Sequence, residues 1–493
     1  MTQESENLPE RQQYGMVRKV ASGVFWNLLA FGFGKLTLLL VTSILARLLT
    51  KEEIGVVGAA VVAINYLTII KDLGFGAALI QKRGDVNEAA NTVFTINIIL
   101  GVLLSILVIP LAPYVGNYYN DAQVTSVLRW LGISFAINSF GAVHVVWLLR
   151  DLDYRRKALP EMGNSLVKAV VSIGMAMGGY GVWSLVAGQI AGALASVILV
   201  WILLPWRPRL SIDRTIASSL FKFSSSIVGS DVLTVFIDNI DYLIVGRVFG
   251  LAALGVYTFA YRLPEMLVIG NLWILGTIAF PAFSSIQDKP DEMRRGFLGS
   301  VRIVELIITP IALGLILAAD PLVRVVFGNE WSEIIPILRV LAAYAWIYSI
   351  GFHVGGIYKA VGRPDILVKL SIFSIIIIVP ALLLGAHYFG VIGVAYGHLF
   401  AVIVRRAVSL FFATRFVNVT LTEIFEQIRA SLFAGLAMTV VALTVLYLTS
   451  SWSALPQLLS VTFAGALVYL GLLWRTEREN FLRFARVFNR SRN

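Results

Sequence analysis

The sequence predicts an all-α, polytopic membrane protein of about 14 transmembrane helices, with two six-helix halves followed by two C-terminal helices. Three observations carry this. Of 493 residues, 58% are hydrophobic and only 14% charged, against about 45–50% and about 25% in soluble domains. A soluble fold of that composition would run out of polar surface. The chain also holds 14 apolar runs, most of them near the ~20 residues that span a bilayer. Finally, Lys and Arg collect between alternate runs rather than evenly. A soluble enzyme, a nucleic-acid-binding protein and a disordered scaffold are all excluded by the same arithmetic.

In order along the chain, residues 1–19 form a polar, mixed-charge tail. The first run, 20–46, is longer than the h-region of about 7–15 residues in a cleaved signal peptide, and reads as a retained span. Runs at 54–71, 91–113, 125–148, 159–178 and 181–204 complete the first half, 20–204. A polar linker at 205–221 follows. The second half, 222–414, holds runs at 222–246, 252–283, 300–319, 334–358, 366–386 and 391–414. Residues 415–474 contain the last two, at 430–449 and 455–474, and 475–493 is a basic tail. An even number of spans puts both termini on one side. That side carries 31 of the 40 Lys and Arg residues, so the positive-inside rule makes both termini cytoplasmic. The net charge of +11 thus reports orientation, and no nucleic-acid partner is needed to explain it.

Two offsets indicate an internal duplication. At 200 residues, Ile44, Arg47, Gly55, Val56 and Ala60 fall on Ile244, Arg247, Gly255, Val256 and Ala260. At 209, Gly181, Val182 and Gly188 fall on Gly390, Val391 and Gly397. Six spans separate the copies, so the halves have parallel topology, a pattern that transporters use with the substrate path at the repeat interface. The last two spans lie outside the repeat.

Candidate functional residues are the charges inside spans, because each costs about 2.5–3.5 kcal/mol at the bilayer centre and should face protein or water. Span seven carries Asp231, Thr234, Asp238 and Asp241 at helical spacing on one face. Span eight has Arg262 and, one turn on, Glu265. Span one has Lys35, with no acid at pairing distance on its own helix. The acids and Glu265 read either as internal pairs locking helices together or as ion-coupling groups; Arg262 reads either as the partner of Glu265 in such a pair or as a cavity cation, and Lys35 as a cavity cation. Trp183 and Trp331 read as interfacial anchors, with sugar stacking as the alternative. The chain has no cysteine and four scattered histidines, so no metal site and no redox cofactor are expected. It has no phosphate-cradling Gly-Lys-Ser/Thr loop, so energy should come from an H+ or Na+ gradient instead of ATP. No catalytic constellation appears.

Several segments resemble a known family. These are Ile44–Gly55 (ILARLLTKEEIG), Asp72–Gln81 (DLGFGAALIQ), Asn239–Arg247 (NIDYLIVGR), Leu254–Tyr257 (LGVY) and Phe327–Trp331 (FGNEW). Together they resemble the Wzx-type polysaccharide flippases of the multidrug/oligosaccharidyl-lipid/polysaccharide exporter superfamily. Gly179–Gly188 (GYGVWSLVAG) is similar to the branch that exports colanic acid and related lipopolysaccharides. The resemblance implies two six-helix lobes around a central cavity, often with two extra C-terminal helices. It implies transport of undecaprenyl-pyrophosphate-linked oligosaccharide across a bacterial inner membrane, alongside a polysaccharide polymerase and chain-length machinery. It also implies a basic cavity, with Lys35 and Arg262 on the pyrophosphate; the acids of span seven depart from that pattern. The rival readings are a lipid II flippase, a cation-coupled multidrug exporter of the same superfamily, and a membrane glycosyltransferase or polymerase.

Overall fold

Apolar runs bounded by capping residues become helices throughout. The structure, a computed structural model, describes residues 10–71, 75–81, 86–363 and 365–476, and every regular element among them is helical. Residues up to Gly255 form one compact unit and those from Val256 onward another.

The first unit runs α1 (Glu10–Leu48), α2 (Lys51–Lys71), the short α3 (Phe75–Gln81), α4 (Val86–Tyr119), α5 (Ala122–Arg150), α6 (Tyr154–Met177), α7 (Val182–Leu203) and α8 (Arg214–Phe249), then the start of α9 (Leu251–Pro264). Several of its helices start where polar side chains satisfy the orphan N–H groups of the first turn. Asp121 accepts from the backbone N–H of Gln123 at 2.6 Å and of Val124 at 3.2 Å. Asp213 accepts from Ile216 at 2.8 Å. The linker before α8 is pinned to α4. Asn91, Thr95 and Thr92 accept from the backbone N–H of Arg209, Ser211 and Asp213 at 2.9, 3.0 and 3.2 Å. The compact unit therefore continues past the 205–221 linker and includes α8, which lies against α2 and α4.

The second unit continues with the rest of α9, a π-helical turn (Glu265–Ile269), α10 (Gly270–Ser285), α11 (Pro290–Leu317), α12 (Ala319–Val326), α13 (Ile334–Ser349), α14 (Val354–Ala360), α15 (Asp365–Val417), α16 (Leu421–Leu448) and α17 (Ala454–Thr476). Pro264 removes an N–H donor just before the π turn, which accommodates the mismatch that a proline creates inside a helix. Its main core packs Phe283, Phe297, Val301, Ile357 and Tyr358 against Ala413 and Val417.

Ten helical stretches among the described residues are long and apolar enough to cross a membrane. One of them, α15, has 53 residues and is a hairpin. Gly390 breaks it with φ 69° and ψ −147°, and added side chains at Gly393 and Gly397 would strike the backbone of Gly385 and Ala381. The other three segments expected to span are α6, α8 and the α9–α10 stretch. They are helices as well. The chain is a multi-pass, all-α membrane protein.

The duplication has a structural counterpart. A side chain at Gly55 would strike the carbonyl of Leu251, and one at Gly255 the carbonyl of Lys51. Lys51 and Leu251 are themselves 200 residues apart, so this pair of contacts within the first unit keeps the interval of the repeat.

Candidate functional site

Charged and amide side chains inside spanning helices are the starting material, and the units hold them differently. In the first unit Lys35 sits in α1, half-buried, with Nζ 4.0 Å from the centroid of the Phe31 ring one turn earlier. The ring quadrupole attracts a cation held over its face. On α8, the expected face does not give one environment. Asp238 is exposed whereas Asp241 is fully buried. Between them Asn239 is buried, donating to the carbonyl of Val235 at 2.8 Å and accepting from Asn65 of α2 at 3.1 Å. That amide pair fastens α8 to α2, the kind of interhelical hydrogen bond that holds helices in lipid. The Asp231 side chain lies outside the described residues.

In the second unit Arg262 occupies the last turn of α9, half-buried. Its Nε is buried and has no hydrogen-bond acceptor among the described residues. Glu265, at the start of the π turn, is exposed. Among the described residues no ion pair joins Glu265 to Arg262. Next to Arg262, the Tyr261 ring stacks at 6.3 Å from His398, which lies 4.3 Å from Tyr344.

The structure adds polar groups that the sequence reading did not single out. Glu305 on α11 is 2% exposed and accepts three hydrogen bonds. Ser349 Oγ donates at 2.7 Å, Trp346 Nε1 at 3.1 Å and Thr309 Oγ1 at 3.2 Å. Arg406, counted from sequence among the loop cations, is buried inside α15. Its guanidinium lies 4.5 Å from the Tyr348 ring centroid and donates to the carbonyl of Gly351 at 3.4 Å. Trp331 is likewise no interfacial anchor. It is buried, with its ring 4.7 Å from Phe259, because the Gly328 turn folds it back onto that ring. Trp183 is half-buried, edge-on to Trp130 at 6.5 Å.

In total, Lys35 is half-buried and Asp238 exposed in the first unit, and in the second the Nε of Arg262 has no acceptor among the described residues. Glu305 and Arg406 are enclosed and hold helices in register.

Comparison with known proteins gives a consistent lineage. The lipopolysaccharide biosynthesis protein WzxC of Escherichia coli (strain K12) is 24% identical over 403 residues, covering 80% of each chain. The teichuronic acid biosynthesis protein TuaB of Bacillus subtilis (strain 168) is 25% identical across 93% of this chain and 96% of its own. The succinoglycan biosynthesis transport protein ExoT of Rhizobium meliloti (strain 1021) is 24% identical across 94% of both. Among solved structures, the lipid II flippase MurJ in an inward closed conformation superposes with a TM-score of 0.74 over 93% of this chain and 100% of that one, at 15% identity. An inward-facing multidrug resistance MATE family transporter of the MOP superfamily gives 0.68 over 78% of this chain and 94% of that one, at 17% identity. These two likenesses are of fold. The family described as "Polysaccharide biosynthesis protein" matches residues 44–336, more than half of the sequence, and the chain belongs to it.

Proposed function

We propose that this chain is a transporter, not an enzyme: a flippase that carries undecaprenyl-pyrophosphate-linked oligosaccharide from the inner to the outer leaflet of a bacterial cytoplasmic membrane. Near-full-length similarity to relatives named for three different polysaccharides supports the reading most strongly. The same machinery serves unlike glycans if what it grips is the shared lipid-linked end. The likeness to MurJ is one of fold, so a lipid II substrate has no separate support.

The chemistry follows from the parts of such a substrate. A pyrophosphate leaving water needs cationic donors, and Lys35 and Arg262 are the candidates; the unused Nε–H of Arg262 suits an anionic ligand. The glycan needs hydrated space, whereas the polyprenyl tail can stay in lipid. An exposed carboxylate such as Asp238 does not face hydrocarbon, and together with Asp231 it is the candidate to bind and release a coupling proton or sodium ion. Asp241 and Glu265 are candidates for that coupling or for helix pairing. Alternating access then moves the headgroup, with both termini cytoplasmic and delivery to a polymerase and its chain-length machinery outside.

Charge reversal tests the assignment. Lys35→Glu and Arg262→Glu, each still inserted in the membrane, should lower glycan export at least about ten-fold, as expected when an anion loses its buried partner. Full export by both variants would sink it.

A further inference from the structure

We infer that Glu305 of α11 is a reversible proton-binding site of the second unit, caged by α13 so that its carboxyl is served in either charge state. The carboxyl is buried without a counter-ion. Glu305 is 2% exposed, and among the described residues no Lys or Arg forms an ion pair with it. A carboxylate taken out of water is costly unless it is paired, and a bound proton removes that cost. The surrounding elements bring other ionisable groups, none of which answers its charge. Arg302 stands one turn earlier on α11, and Tyr469 of α17 donates to the neighbouring carbonyl of Leu306 at 3.0 Å. Tyr348 stands two residues from Trp346, about 200° around α13, and takes Arg406 of α15 to that far face. His353 packs on Phe297, two turns before Glu305. Arg429 of α16 lies along a groove described below, Asp320 and Arg324 of α12 pair with each other, and Glu265 of the π turn is exposed.

The cage fits both forms of the group. Ionised, the carboxylate accepts from Ser349 Oγ at 2.7 Å, Trp346 Nε1 at 3.1 Å and Thr309 Oγ1 at 3.2 Å. Ser349 Oγ also lies 2.6 Å from the carbonyl of Trp346, and a hydroxyl has one proton to give. With a proton on Oε1, the carboxyl donates to Ser349 Oγ and Ser349 turns its own proton to that carbonyl. Oε2 still accepts from Trp346 and Thr309. Neither state leaves a carboxyl oxygen or the hydroxyl without a partner, so a proton comes and goes without the penalty of an orphaned group. Uptake forms one O–H bond on Oε1 and breaks one in hydronium; release returns the proton to water. Oxygens 2.6 and 2.7 Å apart are spaced as a shared hydrogen sets them, whereas a sodium ion seated among them would have to part them. The ligand is therefore H+.

The position gives the proton something to act on. Ser349 ends α13, and Gly351, with φ 68°, breaks the chain before α14. Trp346 lies in the last turn of α13, where carbonyls lack an intrahelical donor. Proton occupancy thus decides whether the Ser349 hydroxyl serves that carbonyl or Glu305. The cage is also reached from outside. A groove of about 350 Å³ has Thr309 and Trp346 in its wall and extends to Arg429 and Thr439 of α16.

The test records infrared difference spectra of the purified full-length chain in detergent as the pH is stepped, and follows the carbonyl stretch of protonated carboxylic acids. The wild type should show a band that fades as pH rises and that Glu305→Gln removes. Ser349→Ala and Trp346→Phe each take one hydrogen bond from the carboxyl. Such a bond is stronger to the ionised form than to the neutral one, so each variant should move the fading midpoint up by about one pH unit. Exchange of Na+ for choline should leave the midpoint in place. Survival of every carboxylic acid band in Glu305→Gln would overturn the proposal. So would a midpoint displaced by Na+, or one that neither Ser349→Ala nor Trp346→Phe moves. Should Glu305→Gln fail to fold, the two shifts and the sodium comparison decide the matter without it. None of these readouts depends on transport, so the site stands or falls apart from the flippase reading.

Discussion

The α6–α7 hairpin of the first unit and the hairpin within α15 of the second share a backbone plan at an interval of 209 residues but not an interior. Gly181 turns the first with φ 53° and ψ −130°, and Gly390 turns the second with φ 69° and ψ −147°. Seven residues later, Gly188 abuts Ser172 and Gly397 abuts Ala381, a pair of contacts that keeps the same interval. The fill differs. Lys168 of the first hairpin donates to Gln189; the corresponding positions of the second are Ile377 and His398. His398 is buried against Tyr344 instead. Duplicated halves thus retain the geometry that lets helices approach closely, while side chains between them diverge to serve each unit.

Breaking the shared plan should have the larger effect where the neighbour is rigid. At Gly397 a methyl group would meet backbone atoms of Ala381 and Leu382, whereas at Gly188 its nearest neighbour is the Ser172 hydroxyl, which can rotate away and leave the Lys168 carbonyl, at 2.9 Å, as a milder backbone clash. Gly397→Ala should therefore destabilise by about 2–3 kcal/mol and Gly188→Ala by about 1 kcal/mol, the range for overpacking. Thermal unfolding in detergent checks the order; a larger loss at Gly188 would mean that the two hairpins are not packed alike. The turns themselves differ by one neighbour. Both glycines occupy a left-handed backbone region that side chains avoid, so Gly390→Ala should cost about 1–2 kcal/mol, and Gly181→Ala somewhat more because its methyl group would also meet the Glu53 carboxylate. A larger loss at Gly390 in the same unfolding measurement would contradict this.

Much of this plan is legible in the sequence, because the signals are local. Fourteen apolar runs correspond to fourteen helical segments, and the glycine pairs that suggested a duplication sit at its turns and closest approaches. The polar interior is a different matter. Glu305 stands three residues from Arg302 within the run at 300–319, and no local pattern marks it. Its partners Trp346 and Ser349 come from a helix 41 and 44 residues away, a pairing that only tertiary packing creates. Arg405 and Arg406 stand near the end of the run at 391–414 and count with the loop cations, yet α15 continues through both and encloses Arg406. The one-face reading of α8 failed to separate Asp238 from Asp241 for a related reason. Helical periodicity gives direction, but neighbouring helices decide which part of a face is covered. Lys35 and Arg262 are visible from sequence as charges in spans, and the structure adds what surrounds them.

Movement of a lipid-linked glycan between leaflets can be followed directly. The direct measurement reconstitutes the purified chain into liposomes with undecaprenyl-pyrophosphate-linked oligosaccharide carrying a fluorophore on the glycan. An ion gradient is imposed, and an impermeant quencher reports the fraction exposed. Transport predicts that the quenchable fraction changes with time only in vesicles that contain the chain, and that the change collapses with the Lys35→Glu and Arg262→Glu substitutions combined. An identical time course in vesicles with and without the chain would contradict the account.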